Sequence, residues 1–222
     1  MEKINTIDLF AGCGGLCEGF EQSGFYNTLA CVEWEKAPCE NLAKHLLDRW
    51  KYKDAKKRVL RFDIQRTEEL FNGWDDPVYG QSDGLNSLVE NKVDLIIGGP
   101  PCQAYSIAGR VRDENGMRDD YRNFLFESYI KVVKQYRPNA FVFENVPGIL
   151  SAMPTGEPII KIIQKTFDEL IVGCSTTIIP NSVSVIDRYA FNGCSSVKSV
   201  VVSDNVTSIG SGAFANCTNL YN

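Results

Sequence analysis

Short apolar runs alternate with amphipathic stretches over residues 4–170, and this alternation predicts the secondary structure. Five apolar runs have the length of strands and lie at 4–10, 28–34, 58–64, 93–99 and 140–146. The stretches between them have helical spacing and lie at 15–23, 37–50, 65–71, 122–136 and 158–170. Strands that alternate with helices predict an α/β fold with a parallel sheet covered on both faces. A ligand of such a sheet binds at the carboxyl ends of the strands.

The pattern changes after Gly173. Residues 174–222 contain four charged side chains whose charges cancel, and the segment VSVIDRYAFNGCSSV (183–197) repeats as VTSIGSGAFANCTNL (206–220), 23 residues later. This period is typical of a leucine-rich-repeat solenoid, and the segment resembles the BspA-like repeats of surface and adhesion proteins. Two repeats are fewer than a stable stack normally has, so we expect a fragment. The prediction is therefore two domains, at 1–172 and 173–222.

The composition of the chain argues against a membrane protein, a secreted protein and a disulfide-rich protein. Hydrophobic residues make up 44% of the chain, which is enough for a core, and no apolar run is long enough to cross a membrane. The first residues, MEKINTIDLF, lack the apolar region of a secretion signal, so we expect a cytoplasmic or nucleoid-associated protein. The eight cysteines are irregularly spaced without a CxxC pair, which favours free thiols over a disulfide framework. The net charge of −5 excludes nucleic-acid binding over the whole surface but allows a local basic cleft.

A glycine-rich loop follows the first predicted strand in the stretch DLFAGCGG (8–15). Gly12, Gly14 and Gly15 let the backbone turn tightly and come close to a ligand, although a purely structural turn has the same appearance. A dinucleotide-binding fingerprint requires glycine or alanine at the position that Cys17 occupies, which argues against a dehydrogenase.

Polar residues at the next two strand ends predict an adenosine pocket. Glu33 lies 19 residues after Gly14, where an acid can accept hydrogen bonds from both ribose hydroxyls, and Trp34 can stack on adenine. The alternative is a surface Glu beside a core Trp. Asp63 and Ile64 add an acceptor and an apolar wall. The loop offers no positive side chain for a pyrophosphate, so we expect a ligand without phosphates.

A cysteine on a stiff turn follows the fourth strand in GGPPCQAYS (98–106). Two prolines fix the backbone ahead of Cys102 and present it at the carboxyl edge, as a thiolate nucleophile requires. Glu144 and Asn145 end the fifth strand, which we expect to be buried at 141–143. Burial of that strand predicts a partly desolvated Glu144 whose raised pKa lets it carry a proton near neutrality.

Taken in order, DLFAGCGGL, EW, GGPPCQAYSIAGR, YRNFLF and ENVPG resemble the motifs of cytosine-5 DNA methyltransferases over about residues 4–170. The resemblance implies a Rossmann-like sheet that binds S-adenosyl-L-methionine and acts on a cytosine flipped out of double-stranded DNA. It implies that Cys102 adds to carbon 6 of the base and that Glu144 protonates ring nitrogen 3. The family serves DNA methylation in restriction–modification.

The resemblance also assigns binding residues. Those that match the family's cofactor positions are Phe10, Gly12, Gly14, Gly15, Glu33, Trp34, Asp63, Ile64, Pro101 and Leu125. The segment 103–123 corresponds to a loop that closes over DNA, with contacts from Gln103, Ser106 and Arg122. Neither the residues nor the resemblance indicates a metal.

The chain departs from the family after residue 170. The Gln-Arg-x-Arg segment, the target-recognition region and the late Gly-Asn-Ser-Val segment are missing from the sequence, which leaves five predicted strands where the family has about seven. We therefore expect an exposed sheet edge. Two functions stay open: a methyltransferase catalytic segment, active alone or with a complementing chain, and an inactive remnant that serves as a binding module. A BspA-like adhesion protein has little support without an export signal.

Overall fold

The computed structural model describes residues 3–89, 92–101, 125–145, 149, 153, 157–170, 176–178, 183–194, 197, 199–202 and 204–220. The chain forms two compact units, Met1–Lys161 and Ile162–Asn222. The division predicted at residue 172 rests on the change in sequence pattern and stays a prediction.

Five parallel strands form the sheet of the first unit. They are β1 (Ile4–Leu9), β2 (Tyr26–Glu33), β3 (Val59–Arg61), β6 (Leu95–Gly98) and β7 (Ala140–Phe143). The strand order is β3-β2-β1-β6-β7, and every neighbouring pair is parallel. From β1 the chain adds β2 and β3 on one side, and it then adds β6 and β7 on the other side of β1. The order of strands therefore reverses between β1 and β6, and open α/β sheets bind ligands at such a switch point.

The described α-helices lie where the periodicity predicts them, except the four-residue helix at Ala55–Arg58, which was not predicted. They are α1 (Gly15–Glu21), α2 (Lys36–Asp48), α3 (Ala55–Arg58), α4 (Thr67–Asn72), α5 (Leu125–Tyr136) and α6 (Ile159–Leu170). A short 3-10 helix also lies at Leu85–Ser87. The α/β fold with a parallel sheet, as predicted from the alternation, is confirmed.

The sheet is covered on both faces. On one face, Cys17 of α1 and Leu42 of α2 pack with Cys31 and Ile97 of the strands in a buried cluster. Strand side chains alternate between faces, so Gly98 faces the side opposite to Ile97. A methyl group on Gly98 would lie 3.1 Å from the ring of Tyr129, which places α5 on that second face.

An antiparallel hairpin of β4 (Trp74–Asp76) and β5 (Gly80–Ser82) follows α4 and was not predicted. Its strands are three residues long and contain Asp75, Asp76 and Gly80, so they show no apolar run. Tertiary packing holds the hairpin in place: Trp74 stacks on Phe62 with ring centroids 4.0 Å apart.

Strand β7 differs from the prediction of a buried strand at 141–143. In the described part of the chain it pairs with β6 alone, and its residues alternate between exposed and half-buried. Val142 is 37% exposed. The prediction was wrong because an apolar run shows that a strand packs on one face, but not on both. Phe141 and Phe143 lie against Tyr129, whereas Ala140 and Val142 are exposed.

Short parallel strands build the second unit. They are β8 (Thr176–Ile178), β9 (Val185–Ile186), β10 (Ser199–Val201) and β11 (Ser208–Ile209). Ser199 pairs with Thr176 and Ser208 pairs with Val185, so partners lie 23 residues apart in both ladders. The rings of Phe191 and Phe214 stack at 5.1 Å and Ile186 is buried beside them.

Among the described residues, no helix is both long enough and apolar enough to cross a bilayer.

Candidate functional site

The carboxyl ends of four strands lie in register along one edge of the sheet. Leu9 pairs with both Val32 and Gly98, and Gly98 pairs with Phe143. The residues that follow these partners are Phe10, Glu33, Gly99 and Glu144. Neighbouring parallel strands lie about 4.8 Å apart, so these four positions form a row across the edge. All of them belong to motifs singled out in the sequence.

The glycine-rich loop has an unusual backbone. Phe10 has a φ of 57°, which is rare for a residue with a side chain, and Gly12 and Gly14 have φ of 55° and 89°. A methyl group on Gly14 would also lie 2.5 Å from Leu42, so glycine is required there both by conformation and by space. Left-handed conformations concentrate at functional loops, and this one was not visible in the sequence at Phe10. Gly15 begins α1.

The Glu33 carboxylate joins the end of β2 to this loop. One oxygen accepts a hydrogen bond from Gly12 N at 2.9 Å, and the other accepts from Trp34 N at 2.9 Å and Glu35 N at 2.8 Å. Since a carboxylate has about four acceptor positions, this conformation leaves room for one further donor. Binding two ribose hydroxyls, as the sequence predicts, requires one of the backbone contacts to open.

The other predicted cofactor residues differ in their exposure. Trp34 is 49% exposed beside Glu33, as a stacking surface needs, whereas Ile64 is buried. Asp63 accepts a hydrogen bond from Gln65 N at 2.9 Å. Pro101 is half-buried at the end of the turn after β6, and Leu125 is buried at the start of α5.

The two motifs proposed to carry the chemistry meet at the ends of β6 and β7. A methyl group on Gly99 would lie 2.6 Å from Glu144 Oε2, so the carboxylate lies directly over the turn. Asn145 Nδ2 donates a hydrogen bond to the Pro100 carbonyl at 3.2 Å. Glu144 and Asn145 therefore contact the Gly-Gly-Pro-Pro segment immediately before Cys102.

Four predicted site residues, Cys102, Gln103, Ser106 and Arg122, lie outside the described residues. The predicted partial desolvation of Glu144 was wrong, because its side chain is exposed. The reason is the edge position of β7, where no described strand covers the carboxylate.

Asn145 was singled out in the sequence beside Glu144, but its hydrogen bond to the Pro100 carbonyl was not predicted. One contributor was missed in the sequence altogether. Tyr129 of α5 is fully buried, and its hydroxyl lies 3.0 Å from the carbonyl oxygens of both Ile96 and Val142. It thus links the two strands that carry the site. The signal was a tyrosine inside the apolar stripe of LFESYIKVV.

Cys39 lies beside the end of β2, with its sulfur 3.4 Å from the Glu33 carbonyl. Burial raises the pKa of the neighbouring Cys39 thiol to about 12, and the charge of Glu33 adds to the rise. Cys39 is therefore an uncharged packing residue rather than a nucleophile.

Comparison with known proteins identifies the family. The family described as C-5 cytosine-specific DNA methylase matches residues 4–182. The chain belongs to this family. The matched region contains the glycine-rich loop, Glu33, the Gly-Gly-Pro-Pro turn and Glu144 of the cytosine methylase domain.

Several characterised relatives are similar to this cytosine methylase chain. Type II methyltransferase M.Bpa9945I of Bacillus paralicheniformis is 36% identical, over 74% of this chain and 45% of its own length. Type II methyltransferase M1.HphI of Haemophilus parahaemolyticus is 36% identical, over 67% of this chain and 34% of its own. DNA (cytosine-5)-methyltransferase PliMCI of Paracentrotus lividus is 31% identical, over 67% of this chain and 8% of its own. The chain thus spans less than half the length of these relatives.

A solved structure has a partial likeness to the chain. It is a mutant DNMT2 of Spodoptera frugiperda, which covers 82% of this chain and 46% of its own at a TM-score of 0.43 and 18% identity.

Proposed function

We propose that the chain is the catalytic segment of a DNA cytosine-5 methyltransferase that uses S-adenosyl-L-methionine. The observation that carries the proposal is the contact of Glu144 and Asn145 with the turn that leads to Cys102. A nucleophile and a proton carrier at adjacent strand ends suit attack on an electron-poor ring.

The loop and strand ends fit a nucleoside cofactor without phosphates. Gly12 and Gly14 let the backbone pass close to a ligand, Glu33 has an acceptor position left for a ribose hydroxyl, and exposed Trp34 offers a stacking face. The remaining contacts are assigned to Phe10, Gly15, Asp63, Ile64, Pro101 and Leu125. When bound, S-adenosyl-L-methionine supplies the methyl group, as an electrophile, to carbon 5 of cytosine.

The chain's own residues then act on the base. The Cys102 thiolate forms a bond to carbon 6, and Glu144 donates a proton to ring nitrogen 3, which removes the negative charge that the addition builds up. After methylation, loss of the carbon 5 proton and release of the thiolate restore the aromatic ring. Asn145 is a positioning residue, because its hydrogen bond to the Pro100 carbonyl holds the turn that precedes Cys102.

The proposed substrate is double-stranded DNA with one cytosine flipped out. Flipping costs a few kcal/mol, and contacts from Gln103, Ser106 and Arg122 on the segment 103–123 would offset it. A DNA substrate places the protein in the cytoplasm or the nucleoid.

A second candidate function is a binding module without turnover. It is favoured by the edge position of β7, which pairs with β6 alone among the described residues. An uncovered sheet edge presents unpaired backbone groups to which another strand can bind. A complementing chain that supplies a strand beside β7 would therefore turn the inactive binding module into an active methyltransferase.

For the second unit we propose two BspA-like leucine-rich repeats. Support comes from the agreement between the sequence repeat and the two parallel ladders, both of which have partners 23 residues apart. A solenoid whose coils stack in parallel has this register.

A covalent trap tests the proposed function. DNA that carries 5-fluorocytosine is mixed with the full chain and S-adenosyl-L-methionine, since fluorine at carbon 5 blocks the final elimination. We expect a stable protein–DNA adduct at Cys102 that Cys102→Ser abolishes and Glu144→Gln reduces at least about tenfold. Cys13→Ser is the matched control, because Cys13 is exposed on the neighbouring loop.

Three outcomes separate the candidates. An adduct at Cys102 supports the methyltransferase. Cofactor binding without any adduct supports the binding module. An adduct that survives Cys102→Ser overturns the assignment of the nucleophile.

A further inference from the structure

Three polar side chains meet inside the core of the first unit. Asp8 of β1, Cys17 of α1 and Cys31 of β2 place one carboxylate and two sulfur atoms within 4.8 Å of one another. None of the three is more than 2% exposed. We call these residues the thiol–carboxylate cluster. The methylation chemistry does not use it.

Asp8 is the residue that packing alone does not explain. Both of its carboxylate oxygens are buried, and neither has a hydrogen-bond partner among the described residues. A buried carboxylate with no donor is costly, so the position favours a proton or a cation.

The two thiols lie among acidic side chains. Cys17 and Cys31 are hydrogen-bonded to each other, and the charges of Asp8 and Glu21 act on Cys31. The charge of Glu33 acts on Asp8. A bound cation would relieve the repulsion within this group of acidic side chains.

We infer that the thiol–carboxylate cluster binds a zinc ion through Cys17 Sγ, Cys31 Sγ and the Asp8 carboxylate. Thiolate sulfur is a ligand that zinc prefers and that hard cations such as magnesium do not. Because both Asp8 oxygens are unpartnered, a bidentate carboxylate and two sulfurs supply four donor atoms, the usual number for zinc.

The binding step is redox-neutral. Each thiol loses one proton to solvent and forms one sulfur–zinc bond, so affinity increases with pH. The ligands come from β1, α1 and β2, so the ion would fix the first helix against the two strands on either side of it in sequence. Binding of this kind stabilises the folded state in proportion to ligand concentration.

The test uses the full chain, reduced and stripped of metal, titrated with Co²⁺ as a spectroscopic substitute for Zn²⁺. We expect a thiolate-to-cobalt charge-transfer band that saturates at one cobalt per chain and disappears when Zn²⁺ is added. The double change Cys17→Ala with Cys31→Ala should abolish the band. Asp8→Asn should weaken zinc binding at least about tenfold, because loss of a charged ligand costs no less than loss of an outer-shell partner, which costs about 10–100-fold.

Cys39→Ala is the matched control. Cys39 is a buried thiol in the same hydrophobic core, but its sulfur lies 3.4 Å from the Glu33 carbonyl and outside the cluster. This variant should keep the band unchanged.

Two results would overturn the inference: no thiolate–cobalt band in the folded native chain, or a band of full strength in the double variant. If circular dichroism shows that the double variant is unfolded, Asp8→Asn decides. Unchanged zinc affinity in folded Asp8→Asn rejects the site, and a weakened affinity supports it.

Discussion

Gly98 and Gly99 are adjacent, yet a methyl group added to each would meet a different kind of atom. At Gly98 it would lie 2.5 Å from the Leu9 backbone carbonyl, in the middle of the sheet. At Gly99 it would lie 2.6 Å from Glu144 Oε2, the end of a flexible side chain. A side chain at position 98 would therefore disturb the sheet, whereas a side chain at position 99 would displace the Glu144 carboxylate.

We predict that Gly98→Ala and Gly99→Ala separate these roles. Gly98→Ala should lower the free energy of unfolding by about 3 kcal/mol because backbone must move, whereas Gly99→Ala should lower it by less than about 1 kcal/mol. Gly99→Ala should instead reduce the 5-fluorocytosine adduct, since it displaces the carboxylate. Urea denaturation and the trap measure the two effects. Equal stability losses in both variants would refute this division of roles.

At the scale of elements, Tyr129 ties α5 to the strands that carry the site. Tyr129→Phe removes the hydroxyl that lies 3.0 Å from both the Ile96 and Val142 carbonyls, so we predict a loss of about 2 kcal/mol in urea denaturation. Tyr136→Phe, on the same helix, removes an exposed hydrogen bond to Asn86 and should cost less than about 0.5 kcal/mol. Similar losses for the two variants would contradict the proposed link.

Glu18 joins α1 to α2 and to the segment after it. Its carboxylate contacts His45 Nε2 at 2.7 Å, Trp50 Nε1 at 2.8 Å and Arg49 at 3.0 Å. Partial burial by itself raises the pKa of Glu18, but hydrogen bonds from Gln22, Trp50 and His45 and the charge of Arg49 outweigh it and lower the pKa to about 2.

This lowered pKa makes the stabilisation by Glu18 depend on pH. A carboxylate with a depressed folded-state pKa contributes fully above its ordinary pKa of 4.5 and loses that contribution as the pH falls towards 2. The stability difference between the native chain and Glu18→Gln should therefore shrink from pH 6 to pH 3 in urea denaturation. Glu40→Gln, at an exposed ion pair, should show no such change. A difference that stays constant with pH would argue against the network.

The sequence was most informative where a local pattern determines the structure. Long runs such as 93–99 identified strands, and the spacing from Gly14 to Glu33 brought the loop and acid together. Contacts between residues far apart in sequence were not predictable: Trp74 stacks on Phe62, and Asn145 after β7 donates a hydrogen bond to Pro100 after the neighbouring strand β6. The burial of Glu144 was wrongly predicted for the same reason, because coverage of β7 depends on a neighbour that the local sequence does not describe.

At the scale of the whole molecule, the second unit should unfold without affecting the first. Ile186 is 3% exposed and belongs to the small core of the second unit, whereas its neighbour Val185 is 55% exposed. We predict that Ile186→Asp raises hydrogen exchange throughout 183–220 and leaves exchange in β1 and β6 unchanged. Val185→Asp should have little effect on either unit. Faster exchange in β1 in the Ile186→Asp chain would show that the units are coupled.

The proposed reaction requires that the Cys102 sulfur and the Glu144 side chain face one space. A thiol-specific bridging reagent such as dibromobimane tests this requirement in the Glu144→Cys chain, independently of DNA binding. We expect a bridged peptide that joins positions 102 and 144 and is absent from the control Glu127→Cys, on the exposed face of α5. A chain in which position 144 never bridges to position 102, while both thiols react singly, would contradict it.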